Sequence, residues 1–132
     1  RDARRHHALL ADELGGVVPN PRLSLAKRGV ELCRSEGVDF VLAVGGGSVI
    51  DSSKAIAYGL ANDFDLEDLF MHKVSTDAIA PLGAISTLAG TGSETSNSAV
   101  MNIDTLGGTM LKHSYNRECG RPLFAIMNPE LT

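Results

Sequence analysis

Residues 40–54 read Phe40-Val41-Leu42-Ala43-Val44-Gly45-Gly46-Gly47-Ser48-Val49-Ile50-Asp51-Ser52-Ser53-Lys54, and this stretch decides the fold. Phe40 to Val44 is a continuous apolar run rich in β-formers. Such a run predicts a strand buried on both faces, as at the centre of a parallel sheet. Beyond the glycines, Val49, Ile56 and Leu60 share one helical face, so a helix follows. Upstream, Pro19-Asn20-Pro21 punctuates the chain, and Ser24 is expected to cap a further helix. Leu25, Gly29, Leu32 and Cys33 fall on one face of it, and Gly37 stands where a left-handed C-terminal cap belongs. Helix, buried strand, glycine turn, helix is the α/β layer pattern.

Downstream, Asn62-Asp63-Phe64-Asp65 ends the second helix, and a short amphipathic turn spans Leu66 to Phe70. Pro81 to Thr87 reads as a second buried strand, and Leu88 to Ser98 as a loop dense in Gly, Ser and Thr. Residues 99–103 and 109–113 predict a hairpin around a five-residue loop. Leu123 to Met127 is a further apolar strand. Asn128-Pro129-Glu130 carries helix-start signals.

Composition bounds the function. The 132 residues are 43% hydrophobic and 21% charged, which is globular composition. Their number suits one ordinary domain. Sixteen acidic against twelve basic residues give a net charge of −4, against a general nucleic-acid binder. No apolar run approaches the roughly 20 residues of a membrane span. Two isolated cysteines, Cys33 and Cys119, make neither a disulfide framework nor a four-thiolate zinc site. With no signal-peptide pattern at the N-terminus, a reducing, cytoplasmic setting is expected.

The chemical signal is strongest at Gly45, Gly46, Gly47 and Ser48. Glycines between a buried strand and a helix allow a sharp turn and close approach of backbone to ligand. The free N–H groups and dipole of the helix start favour an anion, and Ser48 adds a hydroxyl. A phosphate or pyrophosphate fits; a tight turn without a ligand is the bland alternative. The pattern is not the usual dinucleotide fingerprint, because Ile50 stands at its sixth position, nor is it a P-loop or a nucleophile elbow. Asp51, one turn on, suits a ribose or amide donor, or else simply the first-turn N–H groups. Lys54 reads as a solvated helix residue.

The second loop, Ser86 to Ser98, also leaves a strand at its carboxyl end, the edge where open α/β sheets bind ligands. A plain surface loop is the alternative there. The remaining candidates are weak. His6, His7, His72 and His113 lack ligand spacing. Asp63, Asp65, Glu67 and Asp68 read as a solvated acidic turn. Cys33 reads as a core residue, and Lys112 as an exposed hairpin lysine.

Three motifs in order carry a resemblance: Gly45 to Lys54; Thr87-Leu88-Ala89-Gly90-Thr91-Gly92-Ser93-Glu94; and Phe124-Ala125-Ile126-Met127-Asn128-Pro129-Glu130-Leu131-Thr132. Together with Pro19-Asn20-Pro21-Arg22-Leu23 they resemble the iron-containing (group III) alcohol dehydrogenases, in their butanol dehydrogenase-like branch. The similarity runs from about Val17 to the last residue. It implies a Rossmann-like parallel sheet flanked by helices, with a β-hairpin, similar to the amino-terminal domain of dehydroquinate synthase. It also implies an NAD- or NADP-dependent enzyme that interconverts primary alcohols and aldehydes. On that resemblance Gly45, Gly46, Gly47 and Ser48 hold the pyrophosphate, and Asp51 lies toward the nicotinamide. Thr87, Leu88, Thr91 and Ser93 line the adenine and ribose side, with Ser96 or Asn97 nearby, and Lys112 matches a lysine that approaches the cofactor.

A divalent metal, iron or zinc, is implied for the complete enzyme. Its ligands, one Asp and three His, belong to a helical domain after the Asn128–Thr132 motif, and nothing in this chain matches them. Residues 1–132 are therefore expected to be part of a nicotinamide-dinucleotide-binding domain, without the helical metal-binding domain and without activity alone. The complete enzyme is expected to be a homo-oligomer acting on a small-molecule alcohol or aldehyde. A non-catalytic nucleotide-binding module and a polyol dehydrogenase of the same superfamily are the alternatives.

Overall fold

A computed structural model of the chain describes residues 22–87, 92–104 and 108–127. Helix α1 (Leu23–Ser35) leads to strand β1 (Val41–Gly45) and helix α2 (Gly47–Ala61). A short helix α3 (Leu66–Phe70) precedes β2 (Leu82–Ser86). Strands β3 (Ser98–Asp104) and β4 (Met110–Asn116) follow, then a 3-10 turn (Glu118–Gly120) and β5 (Ala125–Met127).

Two sheets result. The first is parallel, in the order β1-β2-β5, with Val41 opposite Leu82 and Gly45 opposite Ser86. The second is the expected hairpin, β3 antiparallel to β4, with Ser98 opposite Asn116 and Asp104 opposite Met110. Its strands are longer than the sequence pattern predicts. Pairing continues through the polar residues Ser98, Asp104, Ser114 and Asn116, which hydropathy alone does not mark as strand.

Helix α2 is the centre of the molecule. It packs on β1 and β2 through Ile50 and Val49 against Ala43 and Ala84. Its other flanks carry Ala55, Ile56 and Tyr58 into a core with Leu23 and Ala26 of α1, Leu69 and Phe70 of α3, and Met101 and Tyr115 of the hairpin. Tyr58 and Tyr115 meet edge to face with centroids 5.3 Å apart, a preferred aromatic geometry. The Tyr115 hydroxyl donates to the Thr76 carbonyl at 2.9 Å and accepts from the Thr76 N–H at 2.8 Å. These bonds tie the hairpin to the segment before β2.

Three sequence expectations are corrected. Ser24 does not cap α1. Arg22 is the N-cap and makes no side-chain cap bond, because buried Leu23 already belongs to the helix. The inward face of α1 is Leu23, Ala26 and Gly29, with Val30 and Cys33 packed beside them, whereas Leu25 and Leu32 are half-buried. The small residue at the contact belongs to α2: Gly59 receives Val30 of α1. Strand β1 is not buried on both sides. Ala43 is buried against α2, but Leu42 and Val44 are 49% and 53% exposed. They lie with Phe40, Phe124 and Ile126 on a sheet face that no helix covers among the described residues. Gly37 does take the left-handed conformation, φ +65°, that its expected cap role requires. The helix start expected at Asn128 lies outside the described residues.

Helices α1 and α2 meet closely at Gly59. A Cβ placed there would run into Val30 Cγ2 of α1. Gly59→Ala is therefore expected to destabilise the fold by about 1–3 kcal/mol. Adding Val30→Ala should recover part of that loss, measured as the urea midpoint of the single and double variants. Strictly additive losses would contradict this packing.

Candidate functional site

The parallel register brings both chemically suggestive loops to one edge. Gly45 ends β1 beside Ser86, which ends β2, and the Thr87 N–H donates to the Gly45 carbonyl at 2.9 Å. The glycine turn and the second loop thus leave the sheet side by side.

The glycine turn is built for close approach. Gly45 has φ +157°, and a Cβ there would stand 2.7 Å from Val49 Cγ2. Gly46 is the N-cap of α2, with no side-chain cap bond. The first intrahelical bond in the turn is Ile50 N–H to the Gly46 carbonyl at 3.1 Å. The N–H groups ahead of it have no intrahelical acceptor. No acidic residue lies in that first turn. An anion at this helix start would meet backbone donors, the Ser48 hydroxyl and the positive end of the dipole, without a competing carboxylate.

Below the turn lies a charged cluster. Asp51 is half-buried, and its Oδ2 accepts from the Val100 N–H of β3 at 3.4 Å. Burial pushes its carboxyl above the ordinary 3.8, opposed by the Lys54 charge and by hydrogen bonds from Val100 and Ser93. Among the described residues, Asp51 Oδ1 has no hydrogen-bond partner, and neither do the buried Ser52 Oγ and Glu94 Oε2. Buried polar atoms without partners are rare in folded proteins. Asp51 Oδ1, beside the glycine turn, fits an acceptor kept for the amide or hydroxyl donor of a bound dinucleotide.

Lys54 overturns its sequence reading. It is fully buried, not solvated. Its Nζ donates to the carbonyls of Ser96 at 2.8 Å and Ser98 at 2.9 Å. Burial lowers its pKa to about 8, against the opposing pull of Asp51 and Glu94. Sequence reasoning also passed over Glu94, only 6% exposed. The available signal was α2 itself: from Ile50 to Gly59 it carries small or apolar residues nearly all round, and such a helix is buried.

Around this cluster the second loop is firmly held. Arg121 donates to the Thr95 carbonyl. The Arg117 N–H donates to the Asn97 carbonyl at 3.2 Å, and the Asn97 amide donates to Glu118 at 3.1 Å. The Ser96 hydroxyl accepts from the Ser98 N–H at 2.9 Å. The Asn97 amide and the Ser96 hydroxyl thus bond within and beside the loop. Thr87 lies at the shared edge, half-buried, and Ser93 is half-buried in the second loop, where it helps hold the Asp51 carboxyl down against the effect of burial. Leu88 and Thr91 lie outside the described residues. Lys112 is exposed on β4 opposite Asn102, and no described hydrogen bond or ion pair ties it to the glycine turn.

No group of three His, Cys, Asp or Glu is placed to hold a metal among the described residues. Asp65 caps α3, accepting from the Glu67 N–H at 2.9 Å, and pairs with Lys27 at 3.0 Å. The acidic turn is structural. No described helix is long and apolar enough to cross a membrane.

The Asp51 shift has a stability consequence. Its folded pKa lies above the ordinary value, so the folded chain holds the proton longer than the unfolded one. The stability tied to this group is complete below 3.8 and falls as pH rises through the folded value. Asp51→Asn removes that titration. The variant should gain on the wild type as pH rises from about 3 to 7 in urea unfolding. A parallel pair of profiles would contradict the shift.

Comparison with known proteins gives the family and the fold. Residues 2–129 match the family profile "Iron-containing alcohol dehydrogenase". The chain is 43% identical over 128 residues to a probable NADH-dependent butanol dehydrogenase 2 of Bacillus subtilis, covering 97% of this chain and 32% of that protein. It is 35% identical to the NADPH-dependent aldehyde reductase YqhD of Escherichia coli, over 91% of this chain and 31% of that one. The crystal structure of an NADH-dependent butanol dehydrogenase A from Thermotoga maritima superposes with a TM-score of 0.88 at 33% identity, over 98% of this chain and 32% of that one. The chain thus spans about a third of the length of these relatives. It belongs to the iron-containing alcohol dehydrogenase family.

Proposed function

We propose that this chain is the dinucleotide-binding portion of an NAD(P)-dependent alcohol dehydrogenase that interconverts a primary alcohol and an aldehyde. One observation carries the reading: the glycine turn opens α2 at the same sheet edge where the second loop leaves β2. That edge is where open α/β sheets bind ligands. The NADH- and NADPH-dependent relatives support the cofactor class.

Gly45, Gly46 and Gly47 let the backbone approach the pyrophosphate, and the free N–H groups at the start of α2 neutralise it together with Ser48. Asp51 Oδ1 accepts from a donor on the nicotinamide or its ribose. Thr87 and Ser93 stand where the second loop meets the edge and face the remainder of the dinucleotide, with Leu88, Thr91, Ser96 and Asn97 in the same loop. Lys112 approaches from the hairpin. The bound nicotinamide supplies the hydride acceptor or donor for the alcohol carbon. This chain's residues bind and orient it, and the metal step that the family name implies requires residues beyond those described. The enzyme is read as cytoplasmic and homo-oligomeric in its complete form.

Calorimetric titration of the complete enzyme that carries these residues with NAD+, NADH, NADP+ and NADPH tests the reading. One pair should bind, and Gly46→Val should weaken it by about tenfold or more, the equivalent of losing one charge-assisted backbone contact. Wild-type affinity in Gly46→Val would overturn the site. The chain alone is expected to give no alcohol-dependent change in NAD(P)H absorbance with iron or zinc added; such a change would show that it carries the full catalytic apparatus.

A further inference from the structure

We propose that Lys54 is a positioning residue for dinucleotide binding: its buried ammonium clasps the second loop to helix α2 and so sets the geometry of both loops together. The inference rests on the dinucleotide reading above and goes beyond it, because Lys54 belongs to neither glycine-rich motif's phosphate contacts. The geometry is specific. The Nζ reaches across from the middle of α2 to two carbonyls, Ser96 at 2.8 Å and Ser98 at 2.9 Å, that bracket the end of the loop where it enters β3. The side chain is fully buried. One turn nearer the glycines on the same helix, Asp51 accepts from the Val100 N–H of that strand. Asp51 and Lys54 thus pin the end of the loop and β3 to α2 at three points.

The charged groups facing Lys54 come from three elements. Asp51 on α2 and Glu94 on the second loop favour its protonated form, while Arg121, after the 3-10 turn, disfavours it. Burial is the larger effect and leaves the ammonium titrating near 8. A neutral amine still donates, but its bonds to the two carbonyls lose their charge assistance and become about half as strong. Asp51 and Glu94 also lose their nearest buried cation. The dinucleotide is anionic, so it binds more tightly while that cation is present.

Global and local effects then run in opposite directions. The folded pKa lies below the unfolded 10.5, so the cost of burying the charge is present below about 8 and is relieved as pH rises toward 10.5. Overall stability from this group rises across that window while the clasp on the loop weakens. A lysine with a merely structural role would show the first effect without the second.

The test uses the complete enzyme that carries these residues, with isotope-labelled lysine, followed by NMR across the range around pH 8, with and without NAD+. The Lys54 signal should titrate near 8, and the backbone amides of Ser96, Asn97 and Ser98 should follow with the same midpoint. A coupling of about fivefold in affinity is the expected size of such a linkage, so saturating NAD+ (or NADP+, whichever binds) should move the Lys54 midpoint upward by about 0.7 in pH. Lys54→Arg should keep most of the affinity and abolish its fall above pH 8; Lys54→Met should lose about fivefold at neutral pH. A Lys54 midpoint at the ordinary lysine value, loop amides that ignore it, or a bound cofactor that leaves the midpoint unmoved would each overturn the proposal. Should neither substitution fold, the wild-type titrations decide alone. If no dinucleotide binds, the reading of function fails and Lys54's role toward the cofactor fails with it, whereas binding without linkage overturns only the role of Lys54.

Discussion

Everything in this molecule hangs on the parallel pairing of β1 with β2. Five consecutive pairs, Val41 with Leu82 through Gly45 with Ser86, bring two chain segments that are forty residues apart to a common end. The register decides the site. A slip of one residue would turn Ala43 and Ala84 away from Ile50 and put larger side chains against the helix. With the register fixed, Thr87 closes onto Gly45, and the two loops emerge as neighbours. Helix α2 can then do two tasks at once: its N-terminus faces the shared edge, and its flank braces the hairpin that carries the far end of the second loop.

A buried cluster of charges beneath a binding edge is costly. Each ion gives up hydration, and attraction between partners repays this only with good geometry and full hydrogen bonding. Lys54 meets that condition with two carbonyls and the Asp51 and Glu94 charges around it. Asp51 and Glu94 do not, since each keeps one buried oxygen without a partner among the described residues. An apolar core at those positions would be the more stable choice. Retaining unsatisfied acceptors beside a glycine turn makes physical sense where a ligand completes them. The recess of about 580 Å³ between His72–Ser75 and Ser114–Arg117 is lined by no residue of the glycine turn or of α2 and by none of these unpartnered acceptors.

The fold was largely legible in the sequence, because its elements follow hydrophobic pattern and glycine chemistry. A strand in the run Phe40–Val44, the glycine turn into a helix, a hairpin after the second loop and the left-handed Gly37 all appear, although the strand is covered on one face only and the hairpin strands run longer. What escaped depends on tertiary context. Whether Lys54 points to water or into the core is fixed by the loop carbonyls of Ser96 and Ser98, more than forty residues away. A lysine at that position looks the same in sequence either way. The inward face of α1 escaped because its closest approach to α2 is set by Gly59, where size rather than hydropathy selects the contact. The exposure of Leu42 and Val44 could not be seen either, since an apolar run does not say how many of its faces are covered. For the site, the glycine turn was readable as backbone chemistry, while Glu94 and the unpartnered oxygen of Asp51 needed coordinates.

Where a dinucleotide lands decides the role of the sheet edge. Backbone amide mapping of the labelled complete enzyme during titration with NAD+ or NADP+ measures that directly. The largest chemical-shift changes should fall on Gly45 to Asp51 and on Thr87 and Gly92 to Asn97, at one sheet edge. Changes concentrated at His72 to Ser75 and Ser114 to Arg117, with the glycine turn unmoved, would contradict it.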